Sequence, residues 1–202
     1  MQQSFTSHQK QSFLYSENSS IHRVVSITKP FVVWLTGLSG AGKTTLGNQL
    51  FNELKEANAP VILLDGDIIR QGLCSDLGFT QQDRDENIRR VAEVSKLMTG
   101  AGLIVIVAFI SPTITERNVA KHIIGRQNFV EVYVCASIKV CIGRDPKGLY
   151  KKALAGQIKN FTGIDAPYEV PIAPEIRIDT EQVSVETATA EILYYLKTNK
   201  FI

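Results

Sequence analysis

The sequence predicts an α/β protein built on a five-stranded parallel sheet with helices on both faces. Two observations predict it. Short apolar, β-rich runs alternate along the chain with segments of helical periodicity. The runs are also apolar on successive residues, as strands covered on both faces must be. The longest is LIVIVAFI at 103–110. Its eight residues suit a buried strand and fall far short of the roughly 20 needed to span a bilayer as a helix.

The elements follow in order. Residues 31–36 form the first apolar run. A Gly-rich turn then leads into a helical pattern through Leu46, Leu50, Phe51 and Leu54. Pro60 restarts the chain into a second strand at 61–64. Thr80 with Asp83 resembles a capping box. It opens a helix with apolar positions Ile88, Val91, Ala92 and Met98 that stops near Gly100 and Gly102. LIVIVAFI is the third strand. Pro112 starts a helix that ends near Gly125, and 129–134 is the fourth strand. A segment rich in Gly and Lys runs from Arg144 to about Pro174. A short strand at 176–178 and a helix at 185–196 complete the pattern. Ligands of such sheets sit beyond the carboxyl ends of the strands. That rule points to 36–45, 65–70 and 109–112.

A chain of 202 residues is one domain in length, and 44% hydrophobic with 21% charged residues excludes a wholly disordered polymer. The net charge is +2, which gives no bulk field for polymeric nucleic acid or an anionic membrane. A small anionic ligand needs only a local one. No secretory signal pattern opens the sequence. Cys74, Cys135 and Cys141 show no metal-like spacing and sit in apolar surroundings, which suits a reducing cytoplasm. His8, His22 and His122 are scattered, so no zinc site is expected. Residues 1–30 stand apart: ten of the first twenty are Ser or Gln. They read as an N-terminal extension, partly disordered or draped over a domain at 31–202. A transit peptide is the competing reading, opposed by the scarcity of arginine, with only Arg23 present.

The informative motif is Gly37-Leu38-Ser39-Gly40-Ala41-Gly42-Lys43-Thr44, which fits G-x-x-x-x-G-K-[ST]. The chain's own Gly, Lys and Ser plus Thr frequencies give such a match a chance probability of roughly 0.01. It follows a strand and opens a helix, as a P-loop requires. Glycines let successive N–H groups point at phosphate oxygens, and the helix end adds a positive dipole. Lys43 is placed to reach the β- and γ-phosphates, and the Thr44 hydroxyl to ligate Mg²⁺. A switch GTPase is not expected. The Asn199-Lys200 pair has no Asp following it, and Asp145-Pro-Lys-Gly148 follows the wrong strand for a γ-phosphate switch.

Asp65 and Asp67 close the second strand. Two carboxylates facing a P-loop repel unless Mg²⁺ or a hydroxyl proton engages them. Asp65 is the candidate for the Mg²⁺ shell, directly or through water, or for the base that takes an acceptor proton. Asp67 suits the acceptor or the N-cap of the next helix. Arg70, Arg84 and Asn87 suit a second anion at a strand-end cleft. Arg89 and Arg90 read as a solvated, salt-bridged face. Phe79 suits either the core or a platform for a base. From 144 to 159 the chain carries Arg144, Lys147, Lys151, Lys152 and Lys159 against one acid, Asp145. A P-loop kinase of the nucleoside-monophosphate-kinase type places its lid there, so 144–174 is the expected lid.

These stretches together resemble the adenylylsulfate (APS) kinases: GLSGAGKTT (37–45), DGD..R.GL (65–73), LGF (77–79), DR.ENIRR (83–90), AFISP (108–112), RDPKGLYKKA (144–153) and IKNFTGIDAPYE (158–169). The resemblance implies transfer of the ATP γ-phosphate to the 3′-hydroxyl of adenosine 5′-phosphosulfate, giving PAPS and ADP, in sulfate assimilation. It implies that Gly37 to Thr45, Thr45 included, hold ATP and Mg²⁺, with Arg144 bordering the ATP adenine. Asp65 would serve the metal and the 3′-hydroxyl. Asp67, Arg70, Arg84 and Asn87 would grip the APS ribose and phosphosulfate. Phe79 and Phe161 would sandwich its adenine, Ile110 and Ser111 would line its pocket, and Lys147 and Asn160 would close over it. Ser111 is the family's position for a phosphoserine intermediate, but direct in-line transfer is the favoured reading here. A homodimer is expected from the resemblance. One departure stands out: Ile68 follows Asp-Gly-Asp where the family often has Asn. It is the sole support for the runner-up, a paralogous kinase acting on another nucleotide-like acceptor. An idle nucleotide-binding regulator is opposed by the intact Lys43, Thr44, Asp65 and basic lid.

Overall fold

A computed structural model describes residues 29–202. Almost all of the expected extension at 1–30 lies outside the described residues. Five strands, β1 (Val32–Thr36), β2 (Val61–Asp65), β3 (Ile104–Ala108), β4 (Phe129–Cys135) and β5 (Ile176–Asp179), form one parallel sheet in the order β2-β3-β1-β4-β5. The helices are α1 (Lys43–Glu56), α2 (Gly66–Ile69), α3 (Gln81–Gly100), α4 (Ile114–Ile124), α5 (Ile138–Arg144), α6 (Leu149–Leu154) and α7 (Val185–Thr198).

The central strand shows why the runs are apolar throughout. Every residue of β1 is buried. Val33 and Leu35 face a core with Leu46 and Leu50 of α1 and Ile192 and Leu196 of α7. Val32 and Trp34 face the opposite core, with Ile88, Val91 and Ala92 of α3 and Ala120 and Ile124 of α4. Side chains alternate across a strand, so both alternating sets must be apolar. Each fully buried Val or Leu contributes about 1.5–3 kcal/mol of transfer free energy. Gly47 of α1 lets the helix sit close to the sheet. A Cβ there would meet Leu63 at 3.2 Å and Leu35 at 3.3 Å.

The strand order places the functional crevice. From β1 the chain passes to α1 on one face, and from β3 it passes to α4 on the other. The loops after these two adjacent strands therefore diverge and leave an opening at the strand ends.

Side-chain caps set the helix starts. Thr80 and Asp83 form a capping box on α3, as expected, and Thr113 and Glu116 form another on α4. Ser137 caps α5 and Ser184 caps α7. For α2 the cap is Asp65, whose Oδ1 accepts from the Asp67 N–H at 2.9 Å. The capping role considered for Asp67 is therefore corrected: Asp67 lies inside the helix. The short helix expected beside Asp67 is α2, of four residues, whereas α5 and α6, of seven and six residues, are not expected from the sequence. Elements of one or two turns carry too few residues for a 3.6 period to show. No helix among the described residues is long and apolar enough to cross a membrane.

Gly37, at the exit of β1, is confined by backbone. A Cβ on it would lie 2.2 Å from the Val134 carbonyl oxygen, at φ 155°. Gly37→Ala is expected to destabilise the protein by about 2 kcal/mol or more in urea unfolding. Gly100→Ala, where nothing lies within 4 Å, should stay within about 1 kcal/mol and lean toward stabilisation.

Candidate active site

Helix α1 differs from its neighbours at its N-terminus. Its N-cap is Gly42, at φ 104°, with no side-chain cap, and its first turn carries no acidic residue. The first N–H groups of a helix have no partner within it and carry the positive dipole end. The 37–42 loop therefore presents a preformed anion site. Lys43 lies over it, 8% exposed, with Nζ donating to the Gly37 and Leu38 carbonyls at 2.8 Å each. Burial pushes the Lys43 ammonium down from 10.5 to about 8.

Asp65 faces this loop from the end of β2. It is buried, and its Oδ2 accepts from the Thr44 hydroxyl at 2.8 Å. The cap to α2 holds Oδ1, so the carboxylate is oriented at both ends. A hydroxyl and a carboxylate beside a phosphate site are the hard oxygen donors that suit Mg²⁺, which takes few protein ligands and completes its shell with water and phosphate. The residues present fit that ion.

One cavity of about 920 Å³ joins the P-loop to the acceptor side. Of the expected residues it is lined by Ser39, Gly40, Gly42, Lys43, Thr44, Thr45, Asp65, Asp67, Arg70, Phe79, Arg84, Asn87, Ile110, Ser111, Arg144, Lys147 and Phe161. Gly37, Leu38, Ala41 and Asn160 do not line it. Ala41 is fully buried, Leu38 packs on the core beneath the loop, and Gly37 abuts β4. Asn160 enters through its backbone, its carbonyl accepting from Arg84 Nη2 at 2.5 Å.

At the acceptor end, Arg70 lies over the Phe79 ring at 4.5 Å from its centroid. Phe79 is 59% exposed, so it is not core. Phe161 is held edge-on against buried Tyr150 at 5.0 Å. Arg84 Nη1 donates to Thr162 Oγ1 at 2.9 Å, tying α3 to the segment expected to be the lid. Asn87 is buried, yet its Oδ1 has no hydrogen-bond partner. Such an atom costs about 1–3 kcal/mol unless something engages it. Lys147, between α5 and α6, pairs with Asp67 of α2 across the mouth. Ile68 is 66% exposed on α2 and is not a lining residue.

Ser111 is buried and held at φ 39°, a left-handed conformation that costs a non-glycine residue about 1–2 kcal/mol. Its Oγ accepts from the Trp34 indole N–H at 2.9 Å. Its carbonyl accepts from Arg117 Nη1 at 2.7 Å and from Thr36 Oγ1 at 3.3 Å. The strain persists because these groups surround it.

Residues not anticipated line the far end of the cavity: Thr180, Val183, Val185 and Ala188, after β5. Arg144 is anchored there, donating to Thr180 Oγ1 at 3.0 Å and to the Thr180 carbonyl at 2.8 Å. The strand-end rule that picked out β1, β2 and β3 applies equally to β5, and was the available signal. Glu116 also lines the cavity, its carboxyl pushed up by burial. Two expectations outside the site hold. Arg89 and Arg90 pair with Glu86, and Arg90 with Asp76. Asp145 accepts from the Tyr150 and Lys151 N–H groups, a helix-start role for α6 unrelated to any switch. Cys74, Cys135 and Cys141 are buried and free.

The family model described as "Adenylylsulphate kinase" matches residues 29–179. An adenylyl-sulfate kinase of Vibrio parahaemolyticus is 55% identical over 174 residues, covering 86% of this chain and 85% of its own. Among solved structures, an APS kinase of Mycobacterium tuberculosis in complex with AMPPNP and APS superposes with TM-score 0.81 at 39% identity. It covers 84% of this chain and 98% of its own. A hexameric APS kinase from Thiobacillus denitrificans gives TM-score 0.66 at 34% identity over 86% of this chain and 30% of its own.

The lowered Lys43 value gives the site a pH signature. Above pH 8 the free protein holds Lys43 largely neutral, and an anionic triphosphate raises its pKa again. Nucleotide binding should therefore take up a proton, with affinity falling by up to about tenfold per pH unit above 8 and flat below about 7. Calorimetry in buffers of different ionisation enthalpy reads the uptake. Lys43→Met should bind more weakly throughout and lose this slope.

Proposed function

This chain belongs to the adenylylsulphate kinase family, and from that premise we propose that it transfers the γ-phosphate of ATP to the 3′-hydroxyl of adenosine 5′-phosphosulfate. The observation that carries the proposal is the single cavity with a P-loop at one end and two arginines and two aromatic rings at the other. A P-loop needs one phosphorylated nucleotide. The Arg70, Phe79, Arg84, Asn87 and Phe161 set suits a second, with rings for its base and guanidinium groups for its anion.

On this reading Gly37 to Thr45 cradle ATP, and Arg144 borders its base together with the apolar Val183 and Val185. Lys43 moves from the loop carbonyls to the β- and γ-phosphates. Thr44 and Asp65 would hold Mg²⁺, which when bound neutralises charge on the transferring phosphate. Phe79 and Phe161 stack on the acceptor base, and Arg70 and Arg84 hold its phosphosulfate. Asn87 Oδ1 accepts from a donor of the acceptor, and Asp67 positions its ribose. Ile110 and Ser111 form the pocket floor. Lys147 leaves Asp67 to close over the acceptor with the Asn160 segment, which excludes water. The 3′-oxygen attacks the γ-phosphorus and its proton passes to Asp65. The bond to the β–γ bridging oxygen breaks and ADP departs.

Direct transfer is supported by the Ser111 hydroxyl, which is buried and engaged by Trp34 and so is a poor nucleophile. The exposed Ile68 lies outside the cavity lining, which removes the support for another acceptor. The proposal extends to residues 31–202 acting as one kinase unit with a lid at 144–174, a homodimer in the cytoplasm.

A panel of nucleotide acceptors with MgATP, read by ADP release, tests the function. APS should stimulate release far above the others; stimulation by another acceptor and none by APS overturns the proposal. Ser111→Ala should lower kcat no more than about tenfold and cost about 1–3 kcal/mol of stability, because it strands the buried Trp34 N–H. Complete loss of turnover with APS binding intact would favour a phosphoserine route.

A further inference from the structure

We propose that Arg117 is a positioning residue for the acceptor half of this site, acting through the pocket floor and the root of the lid. The inference rests on the kinase reading above. Arg117 stands in the first turn of α4 and is 3% exposed. Its side chain does not line the main cavity, so a direct contact with either nucleotide is not what keeps it there.

Its contacts reach three separate segments. Nη1 donates to the Ser111 carbonyl and Nη2 to the Glu169 carbonyl, each at 2.7 Å. Nε lies 2.9 Å from Glu131 Oε1 on β4, an ion pair without hydrogen-bond alignment. The guanidinium carbon also sits 5.8 Å from the centroid of the Tyr168 ring. Ser111 is the left-handed residue of the floor, and Tyr168 and Glu169 end the stretch IDAPYE (164–169) that follows the expected lid residues Asn160 and Phe161.

The lid root is stitched to the floor by further bonds around the same guanidinium. The Glu169 N–H donates to the Pro112 carbonyl at 2.8 Å, and Glu169 Oε2 accepts from the Ile114 N–H at 2.6 Å. Tyr168 OH meets Thr36 Oγ1 at 3.0 Å, at the exit of β1. Arg117 thus bonds both the floor and the lid root with a charged group, and Thr36 joins the same two parts through its hydroxyl. The rigid, planar guanidinium holds these two carbonyls and Glu131 in fixed directions from separate nitrogens, whereas a lysine would present one compact ammonium on a flexible stem and could not span all three. The P-loop itself has no bond to Arg117. Loss of the fork should therefore misplace the acceptor and leave ATP binding intact.

The test compares Arg117→Lys with Glu131→Gln. Arg117→Lys keeps a cation beside Glu131 and removes the fork. It should raise the KM for APS about tenfold or more, and the dissociation constant for MgATP should change less than twofold. Glu131→Gln loses the ion pair and keeps the fork, so its KM for APS should move less than twofold even if its thermal midpoint falls as far. A folded Arg117→Lys with unchanged APS kinetics overturns the proposal. So does a parallel loss of ATP and APS affinity, or an equal APS shift in Glu131→Gln. Should Arg117→Lys fail to fold, Glu169→Ala cuts the exposed stitch to Ile114. It should raise the KM for APS severalfold with ATP binding intact, and no shift there overturns the link to the lid root. Should the unsubstituted protein prefer another acceptor, the function reading fails, and the same comparison is then read with that acceptor.

Discussion

The N-terminus of α1 is left without a side-chain cap, and much of the structure is arranged around that omission. Helices α3, α4, α5 and α7 begin on a Ser or Thr side chain that satisfies a free N–H group. Helix α1 begins on Gly42 and offers those donors outward. An anion is the natural partner of such an end. The surrounding atoms reinforce this. Lys43 folds over the loop, and the loop passes so close to β4 that Gly37 admits no side chain.

The rest of the site answers a geometric question that the loop poses, namely where a second reactant can approach a phosphate held there. The order β2-β3-β1-β4-β5 answers it by sending the chain to opposite faces after β1 and β3. Asp65 at the end of β2 faces the loop, while α3 brings Arg84 and Asn87 to the far wall. Lys147, Asn160 and Thr162 reach Asp67 and Arg84 across the opening. Buried Arg117 ties the floor of this opening to Glu169.

Local signals made a large part of this legible. The apolar runs marked β1 to β4, because a strand covered on both faces is apolar on both, while edge strand β5 carries the exposed Arg177 and shows only Ile176 and Ile178. The P-loop was legible because its backbone geometry admits few residues besides glycine. Arg70, Phe79, Arg84, Asn87 and Phe161 came from motif resemblance and converge on one cavity. What escaped was short or indirect. Helices α5 and α6 are too brief to be periodic. Thr180, Val183 and Val185 join the site from the far edge of the sheet, with no motif to flag them. By residue type Asp67 suits the cap of the next helix, and only the observed hydrogen bond shows Asp65 in that role.

The sequence alone determined the fold class, the phosphate loop and the family, since each depends on residue type at short, regular spacing. Tertiary structure decided how those residues are used. It buried Lys43 enough to lower its pKa, turned the Ser111 hydroxyl toward Trp34, and left Asn87 Oδ1 without a partner in the cavity wall. It also gathered Ser111, Glu131 and Glu169 around Arg117 from segments far apart in the chain. Burial and hydrogen-bond direction depend on what packs against a residue from elsewhere in the chain, and no local pattern carries that information.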